Sequence, residues 1–345
     1  MKECYLYEKL PDKKVRCKTC SHYCLIKNNS FGLCGVRKNI EGKLYSLVYG
    51  KIIALNLDPI EKKPLFHFLP NSLVLSLGTV GCNFRCLFCQ NYDISQITRE
   101  DYCQEFGEER RIIGQEISKE KVIEIAKKSR AKSIAYTYNE PAVFFEFAFE
   151  TAKLAKENNL KNIFVSNGFE SKELIEKILP FLDAVNFDLK SFSEKFYQQV
   201  CGGRLAPVLE TIERVFKSGV WLEITTLVIP GYNDSEKELR QIAKFIKNLN
   251  PEIPWHLSRF YPAFKMSEVP STSIEKLIRA YQIGKEEGLF YVYLGNVSLP
   301  EKETTYCPKC SQLVIKRDYY QGKIENFLQD GCCPYCQEKI AGIFE

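Results

Sequence analysis

The sequence predicts an α/β protein: a full or partial β/α barrel with a small Cys-rich module at each end. Three observations carry that expectation. Strand-like runs alternate with helical patterns through the middle of the chain, as repeated βαβ units on a parallel sheet would. The unusual polar residues fall just after the strand-like runs, where barrel enzymes gather their chemistry. Twelve of the fifteen cysteines form three groups, one before the barrel, one at its start and one after it. The expected organisation is a Cys-rich segment over 1–50, the barrel over 51–304 and a C-terminal module over 305–345.

Length and composition agree. A chain of 345 residues can hold one barrel-sized domain plus small modules, and a 45% apolar fraction supports a large core. Charge is nearly balanced, 48 Lys and Arg against 43 Asp and Glu, and the formal +5 steers partners only weakly. Nucleic acid is therefore not indicated, although it is not ruled out. MKECYLYEKLPDKK has no apolar signal-peptide core, and no run is long enough to span a membrane, so a cytoplasmic location is expected. There, short C-x2-C spacings argue for metal ligation rather than disulfides.

The elements follow in order. DPIEKKPLFHFLP reads as a Pro-bounded connection, and LVLSLGTVG (73–81) as a buried strand that runs into the central Cys motif. KSIAYTY (132–138) is strand-like, and AVFFEFAFETAKLAKENN (142–159) is a helix opened by Pro141. NIFVSNG (162–168) is a strand stopped by Gly168, and Ser171 with Glu173 marks the next helix start. AVNFDLK, WLEITTLVI, WHLSRF and LFYVYLGNV are the remaining strands, separated by three further helical patterns. No G-x-G-x-x-G follows any of them, which counts against a dinucleotide fold.

GCNFRCLFCQN (81–91) places Cys82, Cys86 and Cys89 at C-x3-C-x2-C spacing in a loop leaving a strand. Three thiolates are one short of closing a zinc or four-iron site, so one metal position stays open to a small molecule. The spacing resembles the signature of the radical S-adenosylmethionine (SAM) superfamily. That resemblance implies a [4Fe–4S] cluster on Cys82, Cys86 and Cys89 that reductively cleaves SAM to methionine and a 5′-deoxyadenosyl radical. It also implies roles for other residues. Phe88 would pack near the cofactor. Asn139 and Glu140 would meet its ammonium group, with a plain helix start as the bland alternative. Ser166 and Asn167 would contact the ribose, where a simple turn explains the same letters. Asp188 and Lys190 alternate onto one strand face, suited to a zwitterion or to each other. His256 would lie against bound SAM, or serve a structural role at a strand.

Two further groups flank this motif. Cys307, Cys310, Cys333 and Cys336 form two C-P-x-C knuckles spaced as in a zinc-ribbon or rubredoxin-like module. Zinc suits them best and iron second, with KRDYYQGKIENFL as the hairpin between. Cys17, Cys20, Cys24 and Cys34 suit either structural zinc or an auxiliary iron–sulfur cluster. Cys4, Cys103 and Cys201 stand apart and are read as non-ligands.

Together CGVRKN, KKPLFHFLP, the central motif, AYTYNEP, NFDLK, PWHLSRFYP, YVYLGN and the closing knuckles resemble the AmmeMemoRadiSam-system radical enzymes, relatives of pyruvate formate-lyase activating enzymes. The resemblance implies hydrogen abstraction from a protein or small-molecule substrate. A flavodoxin- or ferredoxin-type one-electron donor is implied too, as is association with AMMECR1-like and Memo-like proteins. Two alternatives stay open: a radical tRNA-modifying enzyme, and a non-catalytic, metal-stapled protein- or RNA-binding protein.

Overall fold

The computed structural model describes residues 1–318 and 323–345. Its centre is an eight-stranded sheet. Strands β1 (Ala54–Pro59), β2 (Leu73–Gly78), β3 (Ser133–Tyr136), β4 (Lys161–Ser166), β5 (Ala184–Asp188), β6 (Trp221–Val228), β7 (Trp255–Arg259) and β8 (Val292–Gly295) lie side by side in chain order. Strands β2 to β8 pair in parallel, whereas β1 runs antiparallel to β2. Among the described residues no pairing joins β8 back to β1, so the sheet stays open there. The first strand ends inside the stretch read as a connection, at Asp58 and Pro59. It was hidden because its burial is poor: Asn56 and Leu57 are exposed, so no apolar run marks it.

Six β/α units therefore precede a seventh parallel strand. Helices α1 (Lys119–Lys128), α2 (Phe145–Glu157), α3 (Lys172–Ile178), α4 (Leu205–Ser218), α5 (Glu236–Leu249) and α6 (Ile274–Glu286) connect them. Four of these start where a serine can satisfy a free backbone N–H. The side chains of Ser118, Ser171, Ser235 and Ser273 each accept from the third residue onward. The buried positions of α4, Leu205, Val208, Ile212 and Val215, repeat at helical spacing and face the sheet.

The end of the sheet where the strands begin is plugged. Inward residues Asn186, Glu223, His256 and Tyr293 are all buried and receive the segment 64–69. Asn186 Nδ2 donates to the Pro64 carbonyl at 2.8 Å. Glu223 accepts from the backbone N–H groups of Phe66 (3.0 Å) and His67 (2.8 Å), from Trp221 Nε1 (3.0 Å) and from His256 Nε2 (2.6 Å). An inward carboxylate with that many donors is satisfied without water. The other end of the sheet is left for the site.

Each terminal module is small, and a buried arginine helps to fasten each one. In the N-terminal module, strands Tyr7–Lys9, Val15–Cys17 and Leu25–Ile26 form one sheet, and Lys2–Glu3, Lys43–Ser46 and Arg37–Ile40 form another. Arg37 is buried and grips Glu146 of α2 with both Nη atoms, at 3.0 and 2.9 Å. The C-terminal module is a sheet of Thr305–Tyr306, Leu313–Asp318 and Lys323–Asn326, and the tip of the expected hairpin lies outside the described residues. Arg317 donates to the Phe66 carbonyl and to Thr305 Oγ1, fastening this module under the plug.

Candidate functional site

At the ends of the parallel strands lies a cavity of about 760 Å³, reached by residues from β1 through to the loop after β8. A volume of that order fits a cofactor-sized molecule. Cys82, Cys86 and Cys89 enter it on the loop leaving β2, and Asn139, Ser166, Asn167, Asp188 and Lys190 enter from the ends of β3, β4 and β5. These eight, all expected from the resemblance, line one cavity together with Phe88.

The cysteine loop is held by backbone and by side-chain bonds, among them Asn91 Nδ2 donating to the Tyr138 carbonyl at 2.6 Å. Arg85 N donates to the Cys201 carbonyl at 2.8 Å and Leu87 N to the Val200 carbonyl at 3.0 Å. Asn139 braces its start, donating through Nδ2 to the Gly81 carbonyl at 2.7 Å. Gly81 sits at φ +95, and a Cβ there would come within 2.6 Å of Val36 Cγ1, so only glycine fits. Burial pushes the Cys82 thiol up, with help from Glu140, and pushes Cys89 up to about 11. For Cys86 the first cause is a hydrogen bond with Cys201, and burial follows. Such buried thiols become thiolates when they bind a cation. Cys201, read from the sequence as standing apart, therefore sits against Cys86. Its distance of more than 100 residues hid it, and only the turn Tyr197–Cys201 brings it there.

Lys190 Nζ lies 2.8 Å from Asp188 Oδ2 and 5.7 Å from the centre of the Phe88 ring. Burial works against the lysine charge, yet Asp188 and the Cys86 and Cys201 sulfurs outweigh it and raise its pKa. Phe88 is buried and lines the same cavity. A second charged pair lines the opposite rim, Asp58 with Lys63 at 2.9 Å, and Tyr138 OH reaches Asp58 at 3.0 Å. The sequence reading missed this pair because DPIEKK looks like an ordinary charged connection.

Two expected cofactor residues sit elsewhere. Glu140 is fully buried behind the cavity wall. It accepts from Ala142 N at 3.1 Å, from Ser166 Oγ at 3.0 Å and from Asn167 N at 3.0 Å. Its carboxylate caps the turn Pro141–Phe144 and shapes the β4 end, so it positions Ser166 and Asn167 rather than meeting a ligand itself. Burial, with Glu170 close by, pushes its pKa up to about 8. His256 lies in the plug, bonded to Glu223, near the start of β7, while Ser258 two residues further reaches the cavity. Strand alternation puts both on the inner face, and sequence alone does not tell the two layers apart.

The terminal cysteine groups differ. Cys307, Cys310, Cys333 and Cys336 have all four sulfurs within 4.8 Å of one another, with Cys307–Cys336 and Cys310–Cys333 at 3.6 Å. Tetrahedral zinc with bonds of ~2.3 Å spaces its sulfurs by roughly 3.8 Å, so the set fits one ion. Cys332 stays outside it. Cys17, Cys20, Cys24 and Cys34 instead surround a small enclosed space, whose wall includes Asn83, the neighbour of Cys82.

Residues 76–246 match the Radical SAM superfamily, and the match begins on β2 and takes in the cysteine loop and five of the strand ends around the cavity. The chain belongs to the radical SAM superfamily. It is 45% identical to an uncharacterized protein of Methanocaldococcus jannaschii over 99% of both chains. It is also 27% identical to the benzylsuccinate synthase activating enzyme of Thauera aromatica, over 56% of this chain and 64% of that one. Against the pyruvate formate-lyase-activating enzyme of Clostridium pasteurianum the identity is 24%, over 51% of this chain and 72% of the relative. Streptococcus suis SuiB, in its structure bound to S-adenosylmethionine, shares the fold with a TM-score of 0.51 at 13% identity, over 72% of this chain and 56% of that chain. A radical SAM protein carries an iron–sulfur cluster and SAM, and the open cysteine loop beside the cavity suits both. No helix among the described residues is long and apolar enough to cross a membrane.

Proposed function

We propose that this radical SAM protein is an activating-type enzyme: it binds SAM against the cysteine loop and directs hydrogen abstraction onto a protein or small-molecule substrate. One observation carries the reading. The Asp188–Lys190 pair stands in the same cavity as Cys82, Cys86 and Cys89, offering a carboxylate and an ammonium side by side to an amino acid's own two charges. Exchanging a mutual pair for two charge-assisted bonds to a zwitterion loses little and fixes its orientation. When bound, the cluster supplies the single electron that splits the SAM sulfonium. The chain's own part is to hold and screen. Asn139 keeps the cysteine loop in place, Glu140 keeps Ser166 and Asn167 facing the cavity, and Phe88 covers the lysine stem.

The relatives that activate other enzymes support this class over the tRNA-modifying alternative, which would share the same cavity and differ in substrate. The segments resembling AmmeMemoRadiSam-system enzymes extend the proposal to AMMECR1-like and Memo-like associates and to a flavodoxin- or ferredoxin-type donor. The test is SAM affinity of Asp188→Asn and Lys190→Met, measured anaerobically on iron-matched protein. Each should lose about 1–3 kcal/mol, the scale of a hydrogen bond to a charged group, while iron content holds. Glu140→Gln should change affinity less than either. Unchanged affinity in both pair variants would remove Asp188 and Lys190 from the SAM site and with them this reading.

A further inference from the structure

We infer that Cys17, Cys20, Cys24 and Cys34 hold a second iron–sulfur cluster, ligated entirely by protein and seated directly against the loop of the first. The inference rests on the assignment of Cys82, Cys86 and Cys89 as cluster ligands. The chain carries three cysteine groups, and two of them have a clear character. Among the described residues, only the C-terminal four are gathered closely enough to share one ion. The Cys82, Cys86 and Cys89 set of the superfamily is not so gathered, because a four-iron cluster takes each thiolate on a different iron. The N-terminal four behave like the cluster ligands. They line one space together, yet they do not converge on a point.

The wall of that space is mixed: Leu33, Ala142 and Val143 stand beside the cysteines, and so do His22, Arg37 and Asn83. Four thiolates set around a space rather than at a point suit a cluster that takes each of them on a different iron. The module also needs a staple, because its own core is only Cys4, Val15, Cys17, Ile26 and Leu44 with a few partly buried neighbours.

Its placement adds a function. His22 Nε2 lies 2.9 Å from the Asn83 carbonyl, and Asn83 belongs to the wall of the space while adjoining Cys82. A Cβ on Gly81 would stand 3.2 Å from the Cys34 carbonyl, so ligand-bearing backbone of the two groups is nearly in contact. One electron from a low-potential donor of the ferredoxin or flavodoxin class can enter the outer cluster and leave it for the inner one. The outer cluster returns to its oxidised state, and no bond or proton changes hands.

Three anaerobically reconstituted samples test this by iron, sulfide and zinc analysis and by low-temperature electron paramagnetic resonance of the reduced protein. Wild type should hold about eight irons, eight sulfides and one zinc per chain, the sum of two four-iron clusters and the C-terminal ion. Cys82→Ala/Cys86→Ala/Cys89→Ala should keep about half the iron, with a reduced signal that SAM does not perturb. Cys20→Ser/Cys24→Ser should lose the other half and keep a SAM-sensitive signal. Wild type with only four irons and a second zinc would overturn the inference, and it needs no variant to fold. Iron absent from the Cys20/Cys24 variant but present in the triple one would instead sink the assignment of the central loop.

Discussion

The two ends of this chain use four cysteines each, yet they do different things with them. At the C-terminus the sulfurs meet around a point, under the plugged end of the sheet and away from the cavity. At the N-terminus they stand around a space, on the cavity side and against the loop of Cys82. Spacing in sequence does not separate these cases, because C-x2-C begins both. What separates them is what lies between the knuckles. The C-terminal pair flanks a hairpin whose strands pair in register, bringing the two C-P-x-C turns face to face. The N-terminal four are spread over separate short strands and turns, which leaves a gap for a larger group.

The largest effect should come from taking the metal from one end only. Cys333→Ser/Cys336→Ser removes half of the C-terminal ligands, and structural zinc sites contribute on the order of 10 kcal/mol to the folding of a small module. Residues 305–345 should become protease-sensitive and the melting temperature should fall, while iron and sulfide per chain stay at the wild-type level. Loss of iron from a folded variant would tie the C-terminal group to the cluster chemistry and dissolve the contrast.

A smaller effect should follow from the two arginine fasteners, which are built differently. Arg37 is paired with a carboxylate, while Arg317 is bonded to carbonyl and hydroxyl oxygens. Arg37→Met strands Glu146 as a buried, unpaired charge, a loss of about 3–5 kcal/mol. Adding Glu146→Leu should restore much of it, since two apolar groups can replace a buried pair at little net loss. Arg317→Met should lose about 1.5–3 kcal/mol, the range for hydrogen bonds from a charged donor, and no second change should rescue it. Urea unfolding of the three variants measures this, and equal losses for the two single changes would show that the attachments do not differ.

Much of this was legible in the sequence, and the exceptions share a cause. The alternation of strands and helices, the cysteine loop and the Asp188–Lys190 pair follow from local pattern and from the order of motifs. Glu140 and His256 were both placed at catalytic strand ends, whereas Glu140 lies behind the cavity wall and His256 near the start of β7. Depth along a barrel is set by which residues from other segments fill it, here Phe66 and His67 from the plug. Cys201 and the Asp58–Lys63 pair were invisible for the same reason, since each acquires its role from a neighbour distant in sequence or from a strand with no apolar signal. Local chemistry can be read from letters, whereas layers are decided by packing.

Acid offers another test of the contrast, because the plug that carries the C-terminal module contains a histidine that resists protonation. His67 Nδ1 lies 2.6 Å from the Ala341 carbonyl, which can only accept, so this nitrogen carries the proton. Nε2 is then the acceptor for Tyr293 OH, also at 2.6 Å, and Tyr293 in turn meets Thr305, which Arg317 holds. A second proton on the ring would reverse that chain of bonds beside a guanidinium. Burial lowers the His67 pKa to about 4, Arg317 and His256 add to the shift, and Glu223 opposes it. The folded value lies below the unfolded one, so between about pH 6.5 and 4 the unfolded chain binds more protons. Stability owed to neutral His67 is therefore complete above pH 6.5 and drains away as pH falls toward 4, reaching about 3 kcal/mol at 1.36 kcal/mol per unit. Glu140 and Glu170, pushed up to about 8 and 7, act with the opposite sign, so the raw profile mixes the two. The difference between wild type and His67→Gln isolates the histidine, because glutamine can offer a donor and an acceptor but does not titrate. That difference should shrink steadily from pH 6.5 to 4.5 in urea unfolding, and proteolysis at low pH should open the C-terminal module before the N-terminal one. Parallel profiles for the two proteins would mean that the plug does not sense acid through His67.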